Sequence, residues 1–219
     1  MTMECELDHI TVTAHDLDAG VAFVRDALGV VPEGGGEHPA MGTHNRVVHL
    51  GPGMYLEVIA PNPAAPRPAR PRWFGLDELA PDAPPRLATW AARTSDIRRA
   101  LAASAEPLGV AEPMSRGQLH WLISMPADGR VPLSGAGPAL IEWPAGVHPA
   151  TSLRDVGLRL VALEIAHPEP ERVRAVLRSI GVRDRVRVTP LAAGERPYLA
   201  AHIDTPAGPR TLGGDRHPV

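Results

Sequence analysis

The chain has 219 residues, a formal net charge of −3, 44% hydrophobic residues and 21% charged residues. These values exclude a disordered chain and a membrane-embedded one, and the charge gives no reason to expect nucleic acid. One cysteine, Cys5, excludes an internal disulfide framework and a cysteine-based zinc knuckle.

No apolar run approaches the roughly 20 residues of a membrane span. The acidic start, Met1 to Glu6, is not followed by the apolar core of a signal peptide, so a soluble, cytoplasmic protein is expected. All 22 basic residues are arginine, which together with 25 prolines suggests a GC-rich genome rather than phosphate binding.

One strand–helix unit recurs along the chain. Residues 7–30 align without gaps on residues 159–182 when Gly29 meets Gly181, an offset of 181 − 29 = 152. Residues 87–110 align when Gly29 meets Gly109, an offset of 109 − 29 = 80. All three end on Leu/Ile-Gly-Val. Each begins with a short alternating run that predicts a strand. Asp16 and Asp96 then stand where a helix N-cap belongs, and Pro168 or Pro170 fits the start of the third helix. Leu17, Val21, Val24 and Leu28 make one apolar helix stripe, which Gly29 ends.

Further strands follow each helix. Asn45–Leu50 and Met54–Ala60 flank the hairpin signal Gly51-Pro52-Gly53. Gln118–Met125 and Ala139–Trp143 occupy these places in the second copy, and Arg185–Thr189 and Tyr198–Asp204 in the third. Gly34-Gly35-Gly36 reads as a flexible turn, not a dinucleotide fingerprint. The sequence therefore divides into a first module over 1–61, a Pro-rich connection or lid over 62–85, a second module over 86–149 and a third, structural module over 150–219. Together they form one compact α+β domain. The aromatic centre of the connection, Arg72 to Leu76, is expected to fold back onto the cleft as a lid or wall.

In the first strand His9, Thr11 and Thr13 share a polar face opposite Ile10 and Val12. Glu57 lies in a strand that is apolar on both sides, and Glu142 stands similarly in the second module. A buried carboxylate needs a partner, a proton or a metal. Readings in which His9 is a satisfied cleft histidine stay open. So do readings in which Glu57 and Glu142 pair with arginine or accept backbone N–H groups. Turn or surface roles likewise stay open for His38, His44, His120 and His148. The matching face of the third copy, Val161/Leu163/Ile165, is apolar, so that copy is expected to cover sheet and supply no ligand. No Gly-Lys-Ser/Thr phosphate loop and no Gly-x-Ser-x-Gly elbow is present.

This arrangement resembles the vicinal-oxygen-chelate superfamily, which includes glyoxalase I, extradiol dioxygenases and antibiotic-resistance proteins. The closer resemblance is to glyoxalase-like domain proteins. It is carried by Leu7-Asp8-His9-Ile10, by residues 38–45 (HPAMGTHN), by residues 55–61 (YLEVIAP), by Arg72-Trp73-Phe74-Gly75-Leu76 and by Ile141-Glu142-Trp143. The resemblance implies paired βαβββ modules in a cupped antiparallel or mixed sheet, with the third partial module of the same kind. It also implies a divalent metal (Mn²⁺, Fe²⁺, Mg²⁺ or Zn²⁺) on His9, Glu57 and Glu142, with Glu57 and Glu142 catalytic. His44, Asn45, Tyr55, Trp73, Phe74, Thr89 and His120 would face a small-molecule substrate with vicinal oxygens. Thr89 departs from the pattern, because glyoxalase I has a metal ligand there. Lyase or isomerase chemistry is expected. A ring-opening extradiol dioxygenase and a metal-free binding or resistance protein are the alternatives, and a homodimer stays open.

Overall fold

The computed structural model describes residues 4–192 and 194–214; Met1 to Met3 of the acidic start lie outside them. Strand β1 (Glu6–Thr13) leads into helix α1 (Leu17–Leu28), then β2 (Gly34–His38), β3 (Thr43–His49) and β4 (Tyr55–Pro61). The second repeat supplies β5 (Arg86–Arg93), α2 (Ile97–Ala103), β6 (Val110–Arg116), β7 (Leu119–Met125) and β8 (Ala139–Glu142). Asp16 and Asp96 cap α1 and α2 by accepting the N–H groups of Ala19 and Arg99 at 2.9 and 3.0 Å. Gly29 ends α1 in the left-handed conformation at φ 74°.

The two repeats make one eight-stranded mixed sheet in the order β2-β3-β4-β1-β5-β8-β7-β6. Its edge strands, β2 and β6, come back into contact, so the sheet curls almost into a closed barrel. The seam between the repeats is the antiparallel pair β1–β5, in which Ile10 lies opposite Trp90. These residues are 90 − 10 = 80 apart, the repeat offset itself, so a pseudo-twofold axis passes through this pair. His9 then faces Ala91, and Thr11 faces Thr89.

Residues of one parity point outward from the curled sheet. Ile10, Val12, Leu56, Val58, Trp90 and Leu140 are buried there in the main hydrophobic core with α1 and α2. The other parity points inward, where Ile59, Ala91, Met114, Trp121, Ile123, Ala139 and Ile141 form a second, smaller apolar cluster.

The third repeat comprises β9 (Arg159–His167), α3 (Pro170–Ser179), β10 (Val186–Pro190), β11 (Tyr198–Thr205) and β12 (Gly208–Gly213). It does not extend the large sheet. It forms its own four-stranded sheet, β10-β9-β11-β12, on the helix side of the first, where β12 touches α1, and β11 and β12 touch β5. Here the strand after the helix, β10, lies parallel beside the first strand. Leu163 and Ile165 are buried, but Val161 is 47% exposed at a register break, so the expected three-residue apolar face is reduced to two.

The Gly34–Gly36 turn expected from sequence is instead strand β2. Glycine is needed because β2 runs tight against β3. A Cβ on Gly35, whose φ is +129°, would lie 2.2 Å from the Asn45 carbonyl oxygen. We expect Gly35→Ala to destabilise the fold by about 2 kcal/mol or more, measured by urea unfolding.

Candidate functional site

The inner face of the barrel holds a small, partly open cavity of about 20 Å³, lined by His9, His38, Tyr55, Glu57, Trp73, Phe74, Arg116, Trp121, Ile123, Ile141 and Trp143. That space holds about one water molecule. His9 and Glu57 are brought together: His9 Nε2 lies 3.8 Å from Glu57 Oε2, and both side chains are buried. Tyr55 stacks on His9, with ring centroids 4.4 Å apart. Asn45 is locked between two partners. Its Oδ1 accepts the Gly36 N–H at 2.9 Å, and its Nδ2 donates to Glu57 Oε1 at 2.6 Å. Thr11 Oγ1 donates to Glu57 Oε2 at 3.4 Å.

Sequence alternation gives no sign of Asp8, which is fully buried behind His9. The β1–β5 register shifts between Leu7 and His9, leaving Asp8 as the unpaired residue of a bulge. Its carboxylate accepts from His9 Nδ1 at 2.6 Å, His148 Nε2 at 2.9 Å and Trp143 Nε1 at 3.1 Å. Burial pushes the Asp8 carboxyl up, but the hydrogen bonds from His148 and His9 outweigh it and hold it at about 2. An ionised Asp8 orients the His9 ring by holding its Nδ1, which directs Nε2 toward Glu57. His148 is fixed as well, since its Nδ1 accepts the Ala150 N–H at 3.2 Å.

Trp73 and Phe74, from the centre of the Pro-rich connection, stack on each other and close the cavity. Arg72 clamps this segment through Asp77 at 2.6 Å and the Gly42 carbonyl at 3.2 Å. The Gly75 N–H donates to the Gly129 carbonyl at 2.8 Å. Phe74 sits at φ 59°, a strained conformation for an aromatic residue.

Glu142, His44, His120 and Thr89, all expected at the site, do not line this cavity. Glu142 Oε2 accepts the Ile97 N–H at 2.8 Å and so caps α2 on the outer side of the sheet. The register explains this. Thr11 pairs with Glu57, and its repeat mate Ala91 pairs with Ala139. Ala139 therefore stands where Glu57 stands in the first repeat. Glu142 is three residues further on, and an odd shift puts it on the opposite face. His44 alternates with Asn45, points out of the inner face and is only half-buried. His120 is exposed, while its neighbour Trp121 points inward. Thr89 faces inward but lines a separate cavity of about 10 Å³ behind Trp73 and Phe74.

A divalent ion here would find His9 Nε2 and Glu57 but no third donor from the second repeat. Among the described residues, no group of three or more His, Cys, Asp or Glu side chains is placed to hold a metal ion. This donor set does not fit the three-ligand site expected from sequence.

His38 is buried, its Nδ1 3.2 Å from Thr43 Oγ1, with Trp73 and Trp121 edge-on at 5.0 and 6.1 Å. Burial pushes its pKa down to about 4, against the attraction of Glu57. A folded-state value below the unfolded 6.5 means the stability it contributes is present above pH 6.5 and is lost as pH falls toward 4. The depressed Asp8 value gives a second loss between about 4 and about 2. Urea unfolding against pH should show both limbs, and His38→Phe should shrink the upper one, to which His44 and His167 also contribute, while leaving the lower. Glu142→Ala should cost about 1 kcal/mol of stability, as loss of a helix cap does, and leave the inner cavity's chemistry unchanged.

The model of the glyoxalase-like domain family matches residues 7–181. None of the curated proteins matches the chain. Among solved structures, a hypothetical protein from Staphylococcus aureus is 13% identical over 96% of this chain and 85% of its own, with TM-score 0.56. A mutant of 4-hydroxymandelate synthase from Streptomyces coelicolor is 17% identical over 99% of this chain and 65% of its own, with TM-score 0.51. These likenesses are of fold. With the paired modules and inner cavity in place, the chain belongs to the glyoxalase-like domain family.

Proposed function

We propose that this glyoxalase-like protein transfers a proton on a small molecule taken into the inner cavity, with His9 as the base. The substrate class is a carbon acid flanked by vicinal oxygens. The observation that carries this reading is the line Asp8–His9–Glu57, with His9 Nδ1 2.6 Å from Asp8 and His9 Nε2 3.8 Å from the Glu57 carboxylate.

In the step, the substrate C–H bond breaks, its proton goes to His9 Nε2, and the electron pair moves onto the neighbouring carbonyl oxygen. The imidazolium so formed lies between the carboxylates of Asp8 and Glu57. Return of the proton to carbon completes an exchange or epimerisation. Asn45 and Thr11 hold Glu57 in place through the step. A cavity of about 20 Å³ admits such a molecule only when the Trp73–Phe74 segment moves aside. A divalent ion on His9 and Glu57 is the competing reading, and no step above uses one.

The test is deuterium exchange at the α-carbon of mandelate in D₂O, followed by proton NMR. Mandelate carries vicinal hydroxyl and carboxylate oxygens and a ring suited to aromatic walls. Wild type should exchange with or without a chelator, Glu142→Ala should match it, and His9→Gln should be slower by at least 100-fold, within the range a positioned base supplies. Exchange that a chelator abolishes and Mn²⁺ restores would favour the metal reading. Saturable binding without exchange would make this a binding protein.

A further inference from the structure

Two residues lining the inner cavity carry hydrogen-bond donors that find no acceptor among the described residues. Trp73 Nε1 and Trp121 Nε1 are both buried without a hydrogen-bond partner among the described residues. Both indoles line the cavity. Buried N–H groups left unmatched are uncommon, and each calls for a reason. Arg116 lines the same cavity. It shares the inward parity of Met114 on β6, at the seam where β6 meets β2; a Cβ on Gly36 would lie 3.2 Å from its Cγ. Among the described residues, the half-buried Arg116 side chain makes no hydrogen bond and no ion pair. Other arginines near this wall do have carboxylate partners: Arg70 with Glu112, Arg72 with Asp77 and Arg130 with Glu78.

The cavity is therefore polarised. His9 Nε2 and the Glu57 carboxylate offer lone pairs, while Arg116 and the two indole N–H groups offer protons and positive charge. We infer that the ligand of this cavity is a small carboxylate, with Arg116 as the residue that selects it and the Trp73 and Trp121 N–H groups as its hydrogen-bonding partners. This deepens the proton-transfer reading of the same site and rests on it. A guanidinium matches the planar carboxylate fork, and indole N–H groups can only donate. With the carboxylate at the donor wall, the acidic C–H of the adjacent carbon is directed toward the His9 and Glu57 side. A neutral amide of the same shape would set its NH₂ group against donors and should be rejected, because a buried donor left unpaired is costly.

The experiment is isothermal titration calorimetry with mandelate and with mandelamide. It uses the His9→Gln protein, in which binding is separated from proton transfer. Mandelate should bind at least tenfold more tightly than mandelamide. Arg116→Gln should remove that preference by weakening mandelate alone, and Arg116→Lys should restore part of it. Trp121→Phe, which keeps a ring but loses the N–H, should weaken mandelate severalfold and leave mandelamide unchanged. Thermal melting of each variant identifies any that fails to fold. Equal binding of acid and amide, or an undiminished preference in a folded Arg116→Gln, would overturn the inference. Failure is distinguishable from that of the proton-transfer reading. Acid-selective binding without exchange in wild type sinks only the latter, and wild-type exchange with no acid preference sinks only the carboxylate assignment.

Discussion

The pairing of β1 with β5 is the constraint on which the site depends. It sets Ile10 against its own repeat mate Trp90 and so fixes the pseudo-twofold relation of the two modules. Once that register is set, parity decides the rest. One set of side chains is buried outward against the helices, and the other converges inside the curled sheet. Both Ile10 and Trp90 are fully buried, so a slip by one residue would turn His9 and Thr11 into the apolar core and bring Ile10 into the cavity.

The symmetry is geometric and not chemical. The first repeat points His9, Thr11 and Glu57 inward; the second supplies Thr89, Ala91 and Ala139 at the equivalent positions. His9 and Glu57 are thus concentrated in one module, and the second supplies apolar walls from Ile123 and Ile141 together with Arg116 and Trp121. What the missing third ligand would have done electrostatically, Asp8 does from behind. It is a carboxylate with three N–H donors, close enough to His9 to orient its ring and too enclosed to meet a ligand directly. The carboxylates of Asp8 and Glu57 then flank a single imidazole.

The connection between the modules adds the remaining constraint. Its prolines keep the chain extended, and its aromatic centre supplies two of the cavity's walls. Arg72, Asp77 and the backbone of Gly129 hold that centre down, while Phe74 stays in a strained conformation. The segment is not part of either sheet, and Trp73, Phe74 and Leu76 bury their side chains in the inner apolar cluster, so opening it must expose them.

The sequence by itself determined the strand–helix grammar, the offsets of 80 and 152, the helix caps and the α+β modular fold, because periodicity and capping are local properties of the chain. It also marked His9, Asn45, Tyr55, Glu57, Trp73 and Phe74, whose parity within their own strands or aromatic character was visible. Only the tertiary structure decided the face of Glu142. Alternation fixes which residues of a strand share a face, and the register against the neighbouring strand fixes which face that is. Only the fold turned Asp8 behind His9, since a bulge breaks alternation at one residue and leaves no periodic trace. The arrival of His38, Arg116, Trp121 and Trp143 at the same cavity was likewise a product of sheet curvature, which brings distant edges together and has no signature in any single segment.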